Sequence, residues 1–129
     1  MSAAESLRAA LAMALSARPE FSGVEGLARD TAVNALPQAR VDAPLATDWS
    51  TKDKAGHEVR LTTTIRVARG QAMRLPMMAA AATAAGAALA GSIDGWAVGS
   101  AVHVGSRTVT ASDGTIRAVV EHRLRVLQT

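Results

Sequence analysis

The run from His57 to Val67 constrains this chain more than any other feature. His57, Val59, Leu61, Thr63, Ile65 and Val67 share one parity, and Glu58, Arg60, Thr62, Thr64 and Arg66 share the other. Successive side chains of an extended strand point to opposite faces, so one face is mostly apolar and the other is wet. That pattern belongs to an antiparallel sheet with one covered face. It returns near the C-terminus, where Ala118, Val120, His122, Leu124 and Val126 alternate with Arg117, Glu121, Arg123 and Arg125. Ser112-Asp113-Gly114 lies between the extended runs Trp96 to Ala111 and Thr115 to Leu127, and Asp-Gly in that position predicts a tight hairpin. A further extended stretch, Gln38 to Thr47, alternates Val41, Ala43 and Leu45 with Arg40, Asp42 and Pro44. The proline predicts an edge or a strand end. The polar, charged segment Asp48 to Gly56 ends on glycine and predicts a long exposed hairpin connection.

Two stretches have helical spacing. In Ala3 to Ala17, Leu7, Ala10, Leu11, Ala14 and Leu15 form one stripe. Ser2 is the expected N-cap with Glu5 three residues on, and Pro19 sets the limit. Gln71 to Leu89 predicts a second helix, and no charged residue occurs from Leu75 to Ile93. Pro76 and Gly86 interrupt it, and alanine is barely apolar enough for a membrane span. A helix apolar all round needs cover on more than one side, from the sheet and from either the first helix or another subunit. Glu20 to Pro37 predicts mostly irregular structure, with Val24, Leu27, Val33 and Leu36 available as anchors. The expected architecture is therefore one α+β domain over residues 1–129, in the order α-β-β-α-β-β. An antiparallel sheet of about four strands carries two helices on one face.

The apolar content comes mainly from Ala and Val, with one Phe, two Trp and no Tyr. Aromatic side chains bury about 150–250 Å² each and alanine far less, so an isolated core is lean. Two readings stay open: a monomer with a tight small-residue core, or a subunit that buries part of its apolar surface only on joining others. The chain has no cysteine, which excludes disulfide and thiolate chemistry and fits a reducing compartment. Glu5 and Arg8 interrupt the N-terminal apolar pattern, so no cleaved signal is expected. Fourteen basic residues against eleven acidic ones give a net charge of +3, too small an excess to indicate nucleic-acid binding by itself.

Catalytic patterns do not emerge. Asp48, Asp53 and Glu58 each lie close to Lys or Arg, as on a solvated hairpin. His57, His103 and His122 have no metal-ligand spacing, and His122 is expected to be partly buried and hydrogen-bonded. Ser50, Thr51 and Lys52 lack the glycines and following helix of a phosphate loop. The later glycines do not form a dinucleotide fingerprint. The expectation is a non-enzyme without metal or cofactor. Arginine recurs at strand spacing on the wet faces, at Arg60, Arg66, Arg117, Arg123 and Arg125. These residues make either an ordinary solvated face or a basic surface that meets an acidic partner or a DNA backbone.

The segment Ala46-Thr47-Asp48-Trp49-Ser50-Thr51-Lys52, the following Gly56-His57-Glu58 and the strand Leu61-Thr62-Thr63-Thr64-Ile65 resemble the tail-completion (tail terminator) family of siphophages and gene transfer agents. So does the order of the rest: two alanine-rich helices, Gly95-Trp96, and an Asp113-Gly114 hairpin before an arginine-rich strand. The likeness runs over most of the chain and is best from about Val41 to Val67. Two places depart from the family pattern. The strand exit is Val67-Ala68-Arg69 where relatives often carry Trp, and the segment before the first strand lacks aromatic residues.

The resemblance implies a structural subunit of a phage-like particle, assembled in the bacterial cytoplasm. It implies a homohexameric ring at the tail–neck junction that caps the tail tube protein and meets the head-side stopper, with DNA passing through its lumen. Within that reading, Asp48, Trp49, Ser50, Thr51, Lys52 and Lys54 are candidates for contact with a neighbouring ring or subunit. Trp49 is either the anchor or a side chain folded back on its own sheet. Arg60, Arg66, Arg117, Arg123 and Arg125 are candidates for the lumen or for pairing between subunits. Another neck component, a stopper or adaptor, and a small ligand-binding α+β domain are the alternatives.

Overall fold

The computed structural model describes residues 2–27 and 35–129. The first helix, α1, covers Ala3–Ser16. Its start is fixed as the capping pattern predicts: the Ser2 hydroxyl accepts the Glu5 N–H at 3.2 Å. Leu7, Leu11 and Leu15 form a fully buried stripe, while Ala10 and Ala14 of the expected stripe lie at its margins. A single 3-10 turn at Pro19–Phe21 follows and buries Phe21. Val24 and Leu27 pack against the core from the next segment. Glu25 accepts the Ala39 N–H at 2.9 Å and so ties that segment to the sheet edge. Val33 lies outside the described residues.

Among the described residues six strands form one sheet: β1 (Gln38–Val41), β2 (Leu45–Asp48), β3 (Gly56–Val67), β4 (Ser92–Ile93), β5 (Trp96–Thr110) and β6 (Ile116–Gln128). Their order is β1-β3-β6-β5-β4, and β2 pairs with β3 beyond the end of β1. All pairings are antiparallel. The two strands beyond the expected four come from a break in the Gln38–Thr47 stretch and from the short β4. At the break, Val41 faces Thr63 but Leu45 faces Arg60. Four residues on one strand therefore span three on the other, and this single extra residue reverses the parity. Leu45 consequently joins the wet row and is 71% exposed, which corrects the expectation that it shares a row with Val41.

The second helix, α2 (Leu75–Ala87), is shorter than the expected Gln71 to Leu89. Arg69–Arg74 form a 3-10 segment instead. Pro76 lacks an N–H and suits only the first helical turn, so the α-helix proper starts beside it. Gln71 holds the preceding turn: its Oε1 accepts the Ala68 N–H at 2.8 Å and its Nε2 donates to the Leu36 carbonyl at 3.1 Å.

Both helices cover the apolar face of the sheet. The inward rows Val59, Leu61, Thr63, Ile65, Val67 and Ala118, Val120, His122, Leu124, Val126 are all buried. The helix α2 turns Leu75, Met78, Ala81, Ala82, Ala85 and Gly86 inward. Its other side is uncharged and open to solvent, with Met77 64% exposed and Ala80, Ala84 and Ala87 exposed, and Met73 of the preceding 3-10 segment is 92% exposed beside it. No helix among the described residues is long and apolar enough to cross a membrane.

Candidate interface sites

The hairpin between β2 and β3 is closed by its own polar groups. The Trp49 N–H donates to the Gly56 carbonyl at 2.9 Å and the Thr51 N–H to the Lys54 carbonyl at 2.9 Å. The Ser50 hydroxyl accepts the Gly56 N–H at 3.0 Å and donates to the Asp48 carboxylate at 2.5 Å. These bonds hold the Asp48 carboxyl below its ordinary range, chiefly through the Ser50 hydroxyl. Gly56 admits no side chain, since an added Cβ would meet the Trp49 carbonyl and Leu127 at 2.7 Å. The chain can thus turn tightly against β6 while Asp48, Ser50, Thr51, Lys52 and Lys54 remain exposed. Trp49 stands between the two roles foreseen for it. The Arg125 guanidinium lies 5.5 Å from its ring centroid, yet 39% of the residue remains exposed.

The wet face of the sheet divides into two halves. Toward the Asp48 hairpin, arginines and carboxylates neutralise one another across strands. Glu58 Oε1 lies 3.1 Å from Arg125 Nε and 3.8 Å from Arg123 Nε, and Glu121 Oε1 lies 3.2 Å from Arg60 Nη1. Toward the Asp113 turn the balance weakens: the Asp113 carboxylate feels Arg66 but stands outside ion-pair distance. Arg66 and Arg117 are direct cross-strand partners, so two like charges face each other. Among the described residues neither has a carboxylate at ion-pair distance, and nor does Arg107 on β5.

A recess of about 560 Å³ lies around Arg66 and Arg117. Residues from β1, β3, β5 and β6 and from the closing turn line it, including Arg40, Asp42, Thr64 and Val109. Asp42 is already engaged: Arg40 Nε donates to it at 2.8 Å and the Thr64 hydroxyl at 2.6 Å.

The five arginines of the strand pattern therefore lie on one face but in different settings. Arg60, Arg123 and Arg125 are paired, whereas Arg66 and Arg117 are not. Sequence spacing missed Arg40 and Arg107 as members of the same face. Arg40 shares the parity of its short strand, a signal that was present. Arg107 was hidden because β5 carries irregularities between Val98 and Ser100 and between His103 and Gly105, each of which resets the alternation.

His122 is fully buried, more deeply than expected. Its Nε2 donates to the Thr83 carbonyl on α2 at 2.9 Å, and its Nδ1 is buried without a partner. Burial, with His103 nearby, pushes its pKa below the ordinary value. His103 contacts the ring at 5.6 Å between centroids and its Nε2 bonds the Ser106 hydroxyl at 2.8 Å, while His57 packs edge-on against Trp96 at 5.1 Å. His103 and His122 therefore share one contact, while His57 packs on Trp96 instead.

A chain with the same fold occurs in the solved structure of the "virion of native gene transfer agent (GTA) particle". The two superpose with a TM-score of 0.72 over 98% of this chain and 99% of that one, at 20% sequence identity. At that identity the likeness establishes a shared fold. No protein-family model matches the sequence, and no curated protein does.

Proposed function

We propose that the chain is a structural subunit of a phage-like particle and, more narrowly, the tail terminator: a homohexameric ring that caps the tail tube and meets the head-side stopper. The observation that carries this reading is the end-to-end fold likeness to a chain of a gene transfer agent virion, in which nearly every residue of both chains takes part. The sequence resemblance at the Asp48–Lys52 hairpin points the same way. The surface supports assembly in physical terms. The uncharged stripe of Met73, Met77, Ala80 and Ala84 and the half-exposed Trp49 offer apolar area that a neighbour would remove from water. The role is mechanical and interfacial, without bond chemistry, and the hairpin residues Asp48 to Lys54 are its proposed contact tip.

Light scattering and negative-stain imaging of the purified chain, alone and with tail tube protein, test the proposal. A six-membered ring that incorporates at tube ends is the expected result. A monomer at high concentration that never joins tails overturns it. Capture of the stopper without the tube protein would instead assign the chain to another neck position.

A further inference from the structure

We infer that the recess around Arg66 and Arg117 is a binding site for an acidic, extended segment of a partner protein. Three observations converge there. The first is positive charge with little compensation, since Asp113 lies within the electrostatic reach of Arg66 but outside ion-pair distance. Arg66 and Arg117 are held as cross-strand neighbours, Arg107 lies one strand over, and none has a carboxylate at ion-pair distance among the described residues. Like charges in direct opposition disfavour the folded chain, and an incoming carboxylate relieves that repulsion. The second is shape. The recess of about 560 Å³ draws its walls from four strands, within the size range of a ligand-binding cavity. The third is what borders it. Val109 forms one wall, and the strand that carries it also exposes Val102 and Val104 at 42% and 45%. Beyond Val98, no described strand pairs with the outer edge of β5. An extended peptide can use such an edge for backbone hydrogen bonds, cover the valines and direct a carboxylate to the arginines.

The same face argues against a nucleic-acid duplex as the ligand. Glu58 and Glu121 already engage Arg60, Arg123 and Arg125 on its other half, so the arginines free of ion pairs are confined to one end, too short a track for a continuous phosphate backbone. The site needs no ring around it, so it stands or falls separately from the particle reading.

The experiment uses the purified full chain and a short fluorescein-labelled peptide of alternating Glu and Val, followed by anisotropy at low and physiological salt. The expected result is saturable, salt-sensitive binding that weakens about tenfold or more in the Arg66→Gln/Arg117→Gln double variant. The charge-matched Arg18→Gln/Arg74→Gln variant, altered on the helix side away from the recess, should bind within about twofold of the parent. Circular dichroism and thermal melts confirm that both variants fold. Absence of binding overturns the inference. So does equal binding of the Gln-for-Glu peptide, or equal loss in both variants. A duplex that binds more tightly than the peptide and depends on Arg66 and Arg117 also overturns it and would assign the recess to nucleic acid.

Discussion

Gly86 on α2 lies directly over the imidazole of His122 on β6, so close that a Cβ at Gly86 would fall inside contact distance of three ring atoms. The pair fixes how near the helix comes to the sheet. The ring also bonds the Thr83 carbonyl one turn earlier, so the same histidine sets both separation and axial position. Gly86→Ala should therefore destabilise the fold by about 1–3 kcal/mol, although alanine is the better helix former by about 1 kcal/mol. Urea unfolding midpoints measure the loss. In a double-mutant cycle with His122→Ala the two costs should fall well short of additive, because the small residue at 122 leaves room for the added methyl.

Acid should weaken the protein through His122. Its folded pKa is below the ordinary 6.5, so above that value both folded and unfolded forms are neutral and the contribution is constant. As pH falls below 6.5 the unfolded chain takes up the proton first, and stability declines until the buried ring is protonated too. Asp48 and Asp113 have lowered pKa values, so their contribution is lost only as pH falls below the ordinary 3.8. Urea midpoints at about pH 8 and about pH 5 should thus differ in the parent, and His122→Asn should shrink the difference.

The opposition of Arg66 and Arg117 predicts a gain from removing charge. Arg117→Thr keeps a strand-forming residue on the wet face and should stabilise the isolated chain by about 0.2–1 kcal/mol. The gain should diminish as salt rises, since screening already weakens the repulsion in the parent. Thermal melts at low and high ionic strength distinguish this from a packing effect, which salt would leave in place.

Trp49 and Met77 should separate folding from assembly. Trp49→Ala removes one stacked guanidinium contact at a half-exposed site, so the monomer should lose about 0.5–1 kcal/mol at most. Met77→Lys replaces an exposed side chain and should change stability by no more than about 0.5 kcal/mol. If these surfaces meet neighbouring subunits, both variants should nevertheless fail to form rings by light scattering. Intact rings in both would remove the hairpin tip and the α2 stripe from the interface.

The residues that were legible in the sequence are those whose environment follows from local period. The alternation from Val59 to Val67 and from Ala118 to Val126 correctly placed each inward side chain, and the leucine stripe with its Ser2 cap correctly placed α1. What escaped depends on register between distant segments. The division of the arginines into a neutralised and a bare half requires Glu58 to face Arg125, and Arg66 to face Arg117, across pairings that no local pattern encodes. Gly86 read as an interruption of the second helix because the ring it accommodates is on another element. The 3-10 turn that precedes α2 is held in part by Gln71 bonding the Leu36 carbonyl, again a partner far away in the chain.

The extra residue between Val41 and Leu45 makes the Asp42–Pro44 bend a phase switch for the hairpin tip. Deleting one residue there would rotate β2 by half a turn about its axis, carrying Leu45 and Thr47 to the helix side and Ala46 to the wet side. Deleting two would leave every side chain on its present face and only shorten the reach. Length variation at this bend is therefore quantised: even steps adjust how far the tip projects, and odd steps change which chemistry it presents.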